Sequence, residues 1–329
     1  MERGRLTGLD GLRGVAALAV LLHHVFILPT GKGYLAVDFF FMLSGYVMAR
    51  TFEARMAEPD GCARFMRDRV ARLYPVIFVA SLFCMPWVFW HAGDNAWWII
   101  ALNLLLIPTP ALGQIYMLNP PAWSILLELF ANLVHGLGLH RLGKRAIAIC
   151  LGLAVPVLAW LNFAGMATTR NLQELLLAGP VRVLVPYGIG ILLYRLWRDR
   201  PPIAVPAVVT WGAMPLYFVL GSLAPWDLWW ANVLFVVGVC PLLIAGGLRH
   251  GNGSRLLALL GEMSFPLYAI HAAVVLPLKD LKAGWAAELA GSLLAGLLFT
   301  WALRACNRWQ RARRNNASGL IGAKVVPAA

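Results

Sequence analysis

Gly11-Leu12-Arg13-Gly14-Val15-Ala16-Ala17-Leu18-Ala19-Val20-Leu21-Leu22-His23-His24-Val25 reads as a membrane-spanning helix that carries Arg13 and His24 in an otherwise apolar run. The two lie eleven residues apart, which at about 100° per residue is roughly three turns, so they project from one face about 16 Å apart. Ionisable groups inside a span mark functional sites by default. A single ligand that touches both has to be long.

The rest of the chain agrees with a membrane reading. Of 329 residues, 60% are hydrophobic and 13% charged, a balance that excludes a soluble globular domain. Apolar runs recur along the whole length, which predicts one all-α polytopic bundle over residues 1–304 and a basic cytoplasmic tail over 305–329, expected to be disordered. Ten spans are predicted, near 12–28, 34–51, 73–91, 120–140, 146–163, 177–197, 203–222, 229–247, 256–276 and 285–304. The apolar piece 95–107 is too short to cross and precedes Pro108 and Pro110, so it reads as re-entrant or interfacial. The first apolar run carries Arg13 and lacks a small-residue cleavage site, so no signal peptide is read. Five cysteines without paired spacing read as small hydrophobes, and no metal site is predicted.

Charge sets the orientation. With ten spans and both termini inside, 22 of the 28 lysines and arginines fall in cytoplasmic segments and four outside (Lys32, Arg170, Lys279, Lys282), with Arg13 and Arg182 in the spans. An eleventh span at 95–107 inverts the positive loops that follow it. The net charge of +13 is therefore topology and contact with anionic lipid. Basic groups interleaved with aromatics, as a nucleic-acid groove needs, are absent from the sequence pattern.

The polar residues inside spans carry the functional reading. Arg13 suits either a site or a cation snorkelling to the headgroups, and His24 either a site or a water-facing end. Asp38 lies one turn below the outer end of the second span, where it suits a structural ion pair or a partner that orients the His24 imidazole. Arg69 and Arg72, at i and i+3 in the cytoplasmic approach to the third span, suit a phosphate clamp or ordinary positive-inside charge. Glu128 in the fourth span has no basic neighbour in sequence and must be protonated or meet a partner across the bundle. His271 in the ninth span reads equally as a ligand group or a core histidine satisfied by a carbonyl.

Taken in order, these segments resemble the integral-membrane acyltransferase-3 family of bacterial sugar O-acyltransferases. The matching stretches are Leu9-Asp10-Gly11-Leu12-Arg13-Gly14 with His24, an Arg-x10-His signature; Val37-Asp38-Phe39-Phe40-Phe41-Met42-Leu43-Ser44-Gly45-Tyr46; Arg69-Val70-Ala71-Arg72-Leu73-Tyr74-Pro75; Trp123-Ser124-Ile125-Leu126-Leu127-Glu128; and Ser264-Phe265-Pro266-Leu267-Tyr268-Ala269-Ile270-His271. Leu126 stands where a small polar residue is common, and His23 adds a second histidine beside His24.

The resemblance implies an acyl-coenzyme A donor, acetyl most commonly, on the cytoplasmic side of a bacterial inner membrane, and a carbohydrate or glycoconjugate hydroxyl as acceptor. It places Arg13, Arg69 and Arg72 on the donor phosphates, His24 as general base with Asp38 orienting it, Glu128 beside the chemistry, and Trp123, Tyr268 and His271 at the acceptor. With no fused domain after the tenth span, the acceptor is expected to reach the membrane enzyme directly, as a lipid-linked glycan, a small glycoside or an aglycone. Two other classes also use intramembrane charge. A secondary transporter commonly shows an internal repeat, and the Arg-x10-His and Arg-x2-Arg features occur only in the first 75 residues. A non-catalytic scaffold or sensor would use the same charges only to hold helix register.

Overall fold

The computed structural model describes residues 5–26, 31–110, 113–169, 171–223, 228–251 and 253–323, and of 311 and 314–323 the backbone alone. The helices are α1 Thr7–Phe26, α2 Ala36–Met56, α3 Gly61–Ala92, α4 Ala96–Leu104, α5 Ala122–Leu137, α6 Lys144–Phe163, α7 Leu172–Leu177, α8 Gly179–Trp197, α9 Ala207–Leu223, α10 Trp229–Leu234, α11 Cys240–Arg249, α12 Arg255–Asp280 and α13 Trp285–Ala323. A π-helical segment, Phe235–Val239, joins α10 to α11 into one rod.

Each predicted span has a helix, and seven of the described helical segments are long and apolar enough to cross a bilayer. Helices α5 and α9 are shorter apolar ones, and α8 carries Arg182 and Arg195, both turned into the protein. The nine residues of α4 extend about 14 Å, too little to cross. Asn103 in α4 donates to Thr109 Oγ1 at 3.0 Å and accepts from the Leu118 amide at 3.1 Å, so the irregular chain that follows meets protein partners.

Two stretches differ from the sequence reading. The approach to the third span is the start of α3, which runs unbroken through Arg64, Arg67, Arg69 and Arg72 because good helix formers with one apolar stripe line its first turns. At the other end α13 continues to Ala323, through residues expected to be disordered; residues 324–329, and the charges on Arg3, Arg170 and Lys324, lie outside the described residues.

One end of the bundle is ringed by tryptophans. Phe26 at the end of α1 meets Trp285 at the start of α13, Trp87 near the end of α3 donates to Asp280 at the end of α12, and Phe163 at the end of α6 meets Trp229 at the start of α10. Trp90, Trp97 and Trp230 are exposed near these termini, as expected of an aromatic belt at a membrane interface.

Close helix approach fixes the core. A Cβ at Gly45 of α2 or Gly190 of α8 would stand 2.0 Å from the Tyr187 or Met42 carbonyl oxygen, so these backbones touch where only glycine fits. Helices α1 and α12 meet in the same way, Gly14 against Leu260 and Gly261 against Asp10. Gly190→Ala is expected to destabilise the protein by about 1–3 kcal/mol through overpacking, whereas Gly212→Ala, where a Cβ would meet nothing within 4 Å, should leave thermal unfolding in detergent unchanged or slightly raised.

Candidate active site

Helices α1, α2, α3, α5 and α12 enclose a chamber of about 120 Å3 lined by Arg13, Ser44, Arg69, Arg72, Ser124, Glu128 and Tyr268 among apolar side chains. It shares Arg13, Leu43, Val47, Arg72 and Phe265 with a wider cleft of about 510 Å3, whose rim adds Arg5, Asp10, Arg50 and Glu262. Arg13 and Arg72 thus stand at the junction between cleft and chamber.

The cleft is built from charges that the sequence scatters over the chain. Arg5 donates to Asp10 at 2.6 Å, to Glu262 at 2.7 Å and to the Ala258 carbonyl at 2.9 Å, and its bonds to the two carboxylates raise its guanidinium pKa above the ordinary value. Arg304 also pairs with Glu262. Arg13 lies 3.6 Å from Asp10, and Arg50 donates to Asp199 at 2.7 Å beside the Tyr46 hydroxyl, which bonds the other oxygen.

In the chamber Glu128 meets a partner across the bundle. Its Oε1 accepts from Arg69 Nη2 at 3.1 Å and from Ser44 Oγ at 2.9 Å. Arg69 is 4% exposed, and its Nε has no hydrogen-bond partner among the described residues. Arg72, one turn on, is exposed. The i, i+3 spacing does put both on neighbouring faces, but the pair is split by depth: Arg69 lines the chamber alone, Arg72 both cavities.

At the tryptophan-ringed end the arrangement departs from the sequence reading. Asp38 does not meet His24. Both of its oxygens accept from Arg182 of α8, at 3.2 and 3.0 Å, and Arg182 also donates to Thr169 and lies between the Tyr34 and Trp123 rings, 5.3 and 4.8 Å from its Cζ. A buried carboxylate takes the permanently charged guanidinium in preference to a neutral ring. His24 is oriented by its own helix: Nδ1 lies 2.9 Å from the Val20 carbonyl. Its ring packs 4.9 Å from that of His271, while Lys279 donates to the His24 carbonyl.

Tyr268 links chamber and histidines. It lines the chamber, its hydroxyl lies 2.7 Å from Ser124 Oγ and donates to the Pro121 carbonyl, and its ring is 6.0 Å from His271. Trp123 instead packs on Arg182 and edge-on to Phe41. The structure therefore gathers Arg13, Arg69, Arg72, Glu128 and Tyr268 around one cavity, sets His24 beside His271 just beyond, and puts Asp38 and Trp123 in a separate cluster around Arg182.

A third polar group passed unnoticed in the sequence. His135, fully buried in α5, has Nδ1 3.0 Å from the Tyr187 hydroxyl and Nε2 3.2 Å from Glu53, and Arg195 donates to the same carboxylate at 2.6 Å. Only the presence of Glu53, Arg195 and Asn132 in apolar surroundings signalled it. Among the described residues no cluster of three or more His, Cys, Asp or Glu is placed to hold a metal ion.

Residues 6–305 match the sequence profile of an acyltransferase domain. The chain is 29% identical to acyltransferase MdmB of Streptomyces mycarofaciens, with 89% of this chain and 87% of the relative aligned. It is 26% identical to the exopolysaccharide production protein ExoZ of Rhizobium meliloti (88% and 94%) and 24% identical to O-acetyltransferase OatA of Staphylococcus aureus, where 82% of this chain covers 50% of the relative. No solved structure matches.

Removing one member of the Arg69–Glu128 pair leaves an uncompensated buried charge, so Glu128→Ala is expected to cost about 3–5 kcal/mol. Arg69→Met together with Glu128→Ala should recover most of that loss, as a double-mutant cycle on unfolding in detergent will read.

Proposed function

The chain is a member of the acyltransferase-3 family, and on that premise we propose that it moves a short acyl group, acetyl first, from cytoplasmic acyl-coenzyme A to a hydroxyl of a carbohydrate or glycoconjugate at the bacterial inner membrane, with both termini cytoplasmic. That the chain is a membrane acyltransferase rests on the profile match and the relatives. The observation that carries the finer reading is the basic cleft running past Arg13 and Arg72 into a chamber that ends at Tyr268, next to the histidine pair. The asymmetry of lysine and arginine, 22 against four, supports the cleft's end as the cytoplasmic one. The printed names of OatA, an O-acetyltransferase, and ExoZ, an exopolysaccharide production protein, support acetyl and a carbohydrate acceptor.

Coenzyme A suits this path because it combines several phosphates with a long thin arm. In the proposed pose the phosphates lie at Arg13 and Arg72, at the junction of cleft and chamber, where charge-assisted bonds can form, and the arm enters the chamber past Ser44 and Arg69. The roughly 16 Å from Arg13 to His24 is of the order of that arm's reach.

His24 is the proposed general base. A carbonyl only accepts, so the Val20 contact requires the proton on Nδ1 and leaves Nε2 with a lone pair. Nε2 removes the acceptor proton as the oxygen attacks the thioester carbon. The alcohol is a poor nucleophile until that proton leaves, and such assistance is worth about 10²–10⁴ in rate. Asp38 and Trp123 act at one remove: with Arg182 they fix α2 against α8 and shape the acceptor side. Glu128 holds Arg69 in the chamber wall.

His24→Gln is expected to lower acyl transfer from acetyl-coenzyme A by about 10²–10⁴ while elution and thermal unfolding stay those of the parent protein. Arg72→Ala should weaken coenzyme A binding by about tenfold or more, the worth of one charge-assisted bond, and leave phosphate-free acetyl-pantetheine unaffected. Calorimetric titration of both ligands reads this, and unchanged coenzyme A affinity would remove the phosphates from Arg72.

A further inference from the structure

Two buried histidines in this protein differ in one respect. His135, in the α2–α5–α8 network, has partners on both ring nitrogens, as a histidine serving the core should. His271 is as deeply buried, at 1% exposure, yet its Nε2 has no partner among the described residues. Its Nδ1 lies 2.8 Å from the Tyr268 carbonyl, so Nδ1 carries the proton and Nε2 keeps its lone pair. A buried acceptor left bare is a cost to the fold, and it is retained here beside a second imidazole in the same tautomer.

That neighbour is His24, its ring 4.9 Å away at 53°. The juxtaposition is fixed by backbone, because α1 and α12 are held together at Gly14 and Gly261 and each ring is pinned by a carbonyl of its own helix. The ionisable groups around the pair are His23 on α1, edge-on to His24 at 5.5 Å; Tyr268 and Lys279 on α12; and Glu288 on α13, which acts electrostatically on Lys279. Lys279 spends its contact on the His24 carbonyl and Tyr268 its hydroxyl on Ser124 and Pro121. Of the two imidazoles, His271 is the one beside a residue that lines the chamber, Tyr268.

We propose that His271 is a second catalytic residue, the general acid for the departing thiolate, with His24 the base for the acceptor hydroxyl. The inference rests on the acyl-coenzyme A reading above. The acceptor O–H breaks with its proton going to His24 Nε2, and the oxygen forms a bond to the thioester carbon. The proton crosses from His24 Nε2 to His271 Nε2. The C–S bond then breaks, sulfur keeps the electron pair and takes the proton from His271, and the free thiol and the ester leave both rings neutral. No co-reactant is needed.

The division of labour is testable by leaving group. Thiol release is measured in inverted membrane vesicles from bacteria producing the protein, which bring the membrane's own hydroxyl acceptors, against vesicles without it, using acetyl-coenzyme A and S-(4-nitrophenyl) thioacetate, whose thiolate departs without a proton. His271→Gln should lose about 10²–10⁴ with acetyl-coenzyme A and less than about tenfold with the aryl thioester, whereas His24→Gln should lose both activities. Equal losses of His271→Gln on the two donors would overturn the assignment while leaving the donor reading intact. Absence of coenzyme A release by the parent protein would overturn both. A readout that needs no His271 variant is ¹⁵N NMR of histidine-labelled parent protein, with resonances assigned by the His24→Gln spectrum and by contact with Tyr268: both rings are expected as Nδ1–H tautomers, and an Nε2–H tautomer at either defeats the scheme.

Discussion

A charge placed among apolar helices is tolerable only when another group neutralises it, and this constraint organises the whole molecule. Three carboxylates inside the bundle each meet a cation from a distant part of the chain: Asp38 meets Arg182, Glu128 meets Arg69, and Glu53 meets Arg195. These pairs tie α2 to α8 twice and α3 to α5 once. Such pairs add little net stability compared with well-packed apolar replacements, but breaking one is severe, so they specify which helices lie together. The glycines at 45 and 190 do the complementary work by letting α2 and α8 approach to backbone contact.

In the proposed reaction the chemistry falls to groups whose geometry keeps a valence open. Arg13 and Arg72 look into both cavities, and the imidazoles of His24 and His271 spend Nδ1 on backbone carbonyls. On the proposed function, a polyanionic donor needs cations open to the cavity, and moving a hydroxyl proton needs an uncommitted lone pair.

Much of this was legible in the sequence, because bilayer thickness forces apolar runs of fixed length and so each predicted span has its helix. The shared face of Arg13 and His24 followed from helical periodicity within one segment, and the need of Glu128 for a distant partner followed from its lack of a local one. What periodicity cannot supply is the rotation and neighbour of each helix. Asp38 looked like a partner for His24 because the connecting loop is short, and only three-dimensional packing brings Arg182, 144 residues away, into its reach. Likewise Arg69 and Arg72 are equivalent as a motif, and the depth of α3 in the bundle makes one a buried counter-ion and the other a surface cation. The third span is predicted from residue 73 whereas α3 begins at Gly61, because its charged first turns carry no apolar run to mark them.

Helix α2 offers Asp38, Ser44, Tyr46, Arg50 and Glu53 to partners on α5, α8 and the segment after α8. If this helix were inserted one residue out of step, it would turn by about 100° and part all five groups from these partners. A misthreaded chain would thus suffer its penalties jointly, with no partly correct register to linger in. The polar ladder on α2 would make its depth and its rotation a single choice during insertion, settled before any substrate arrives.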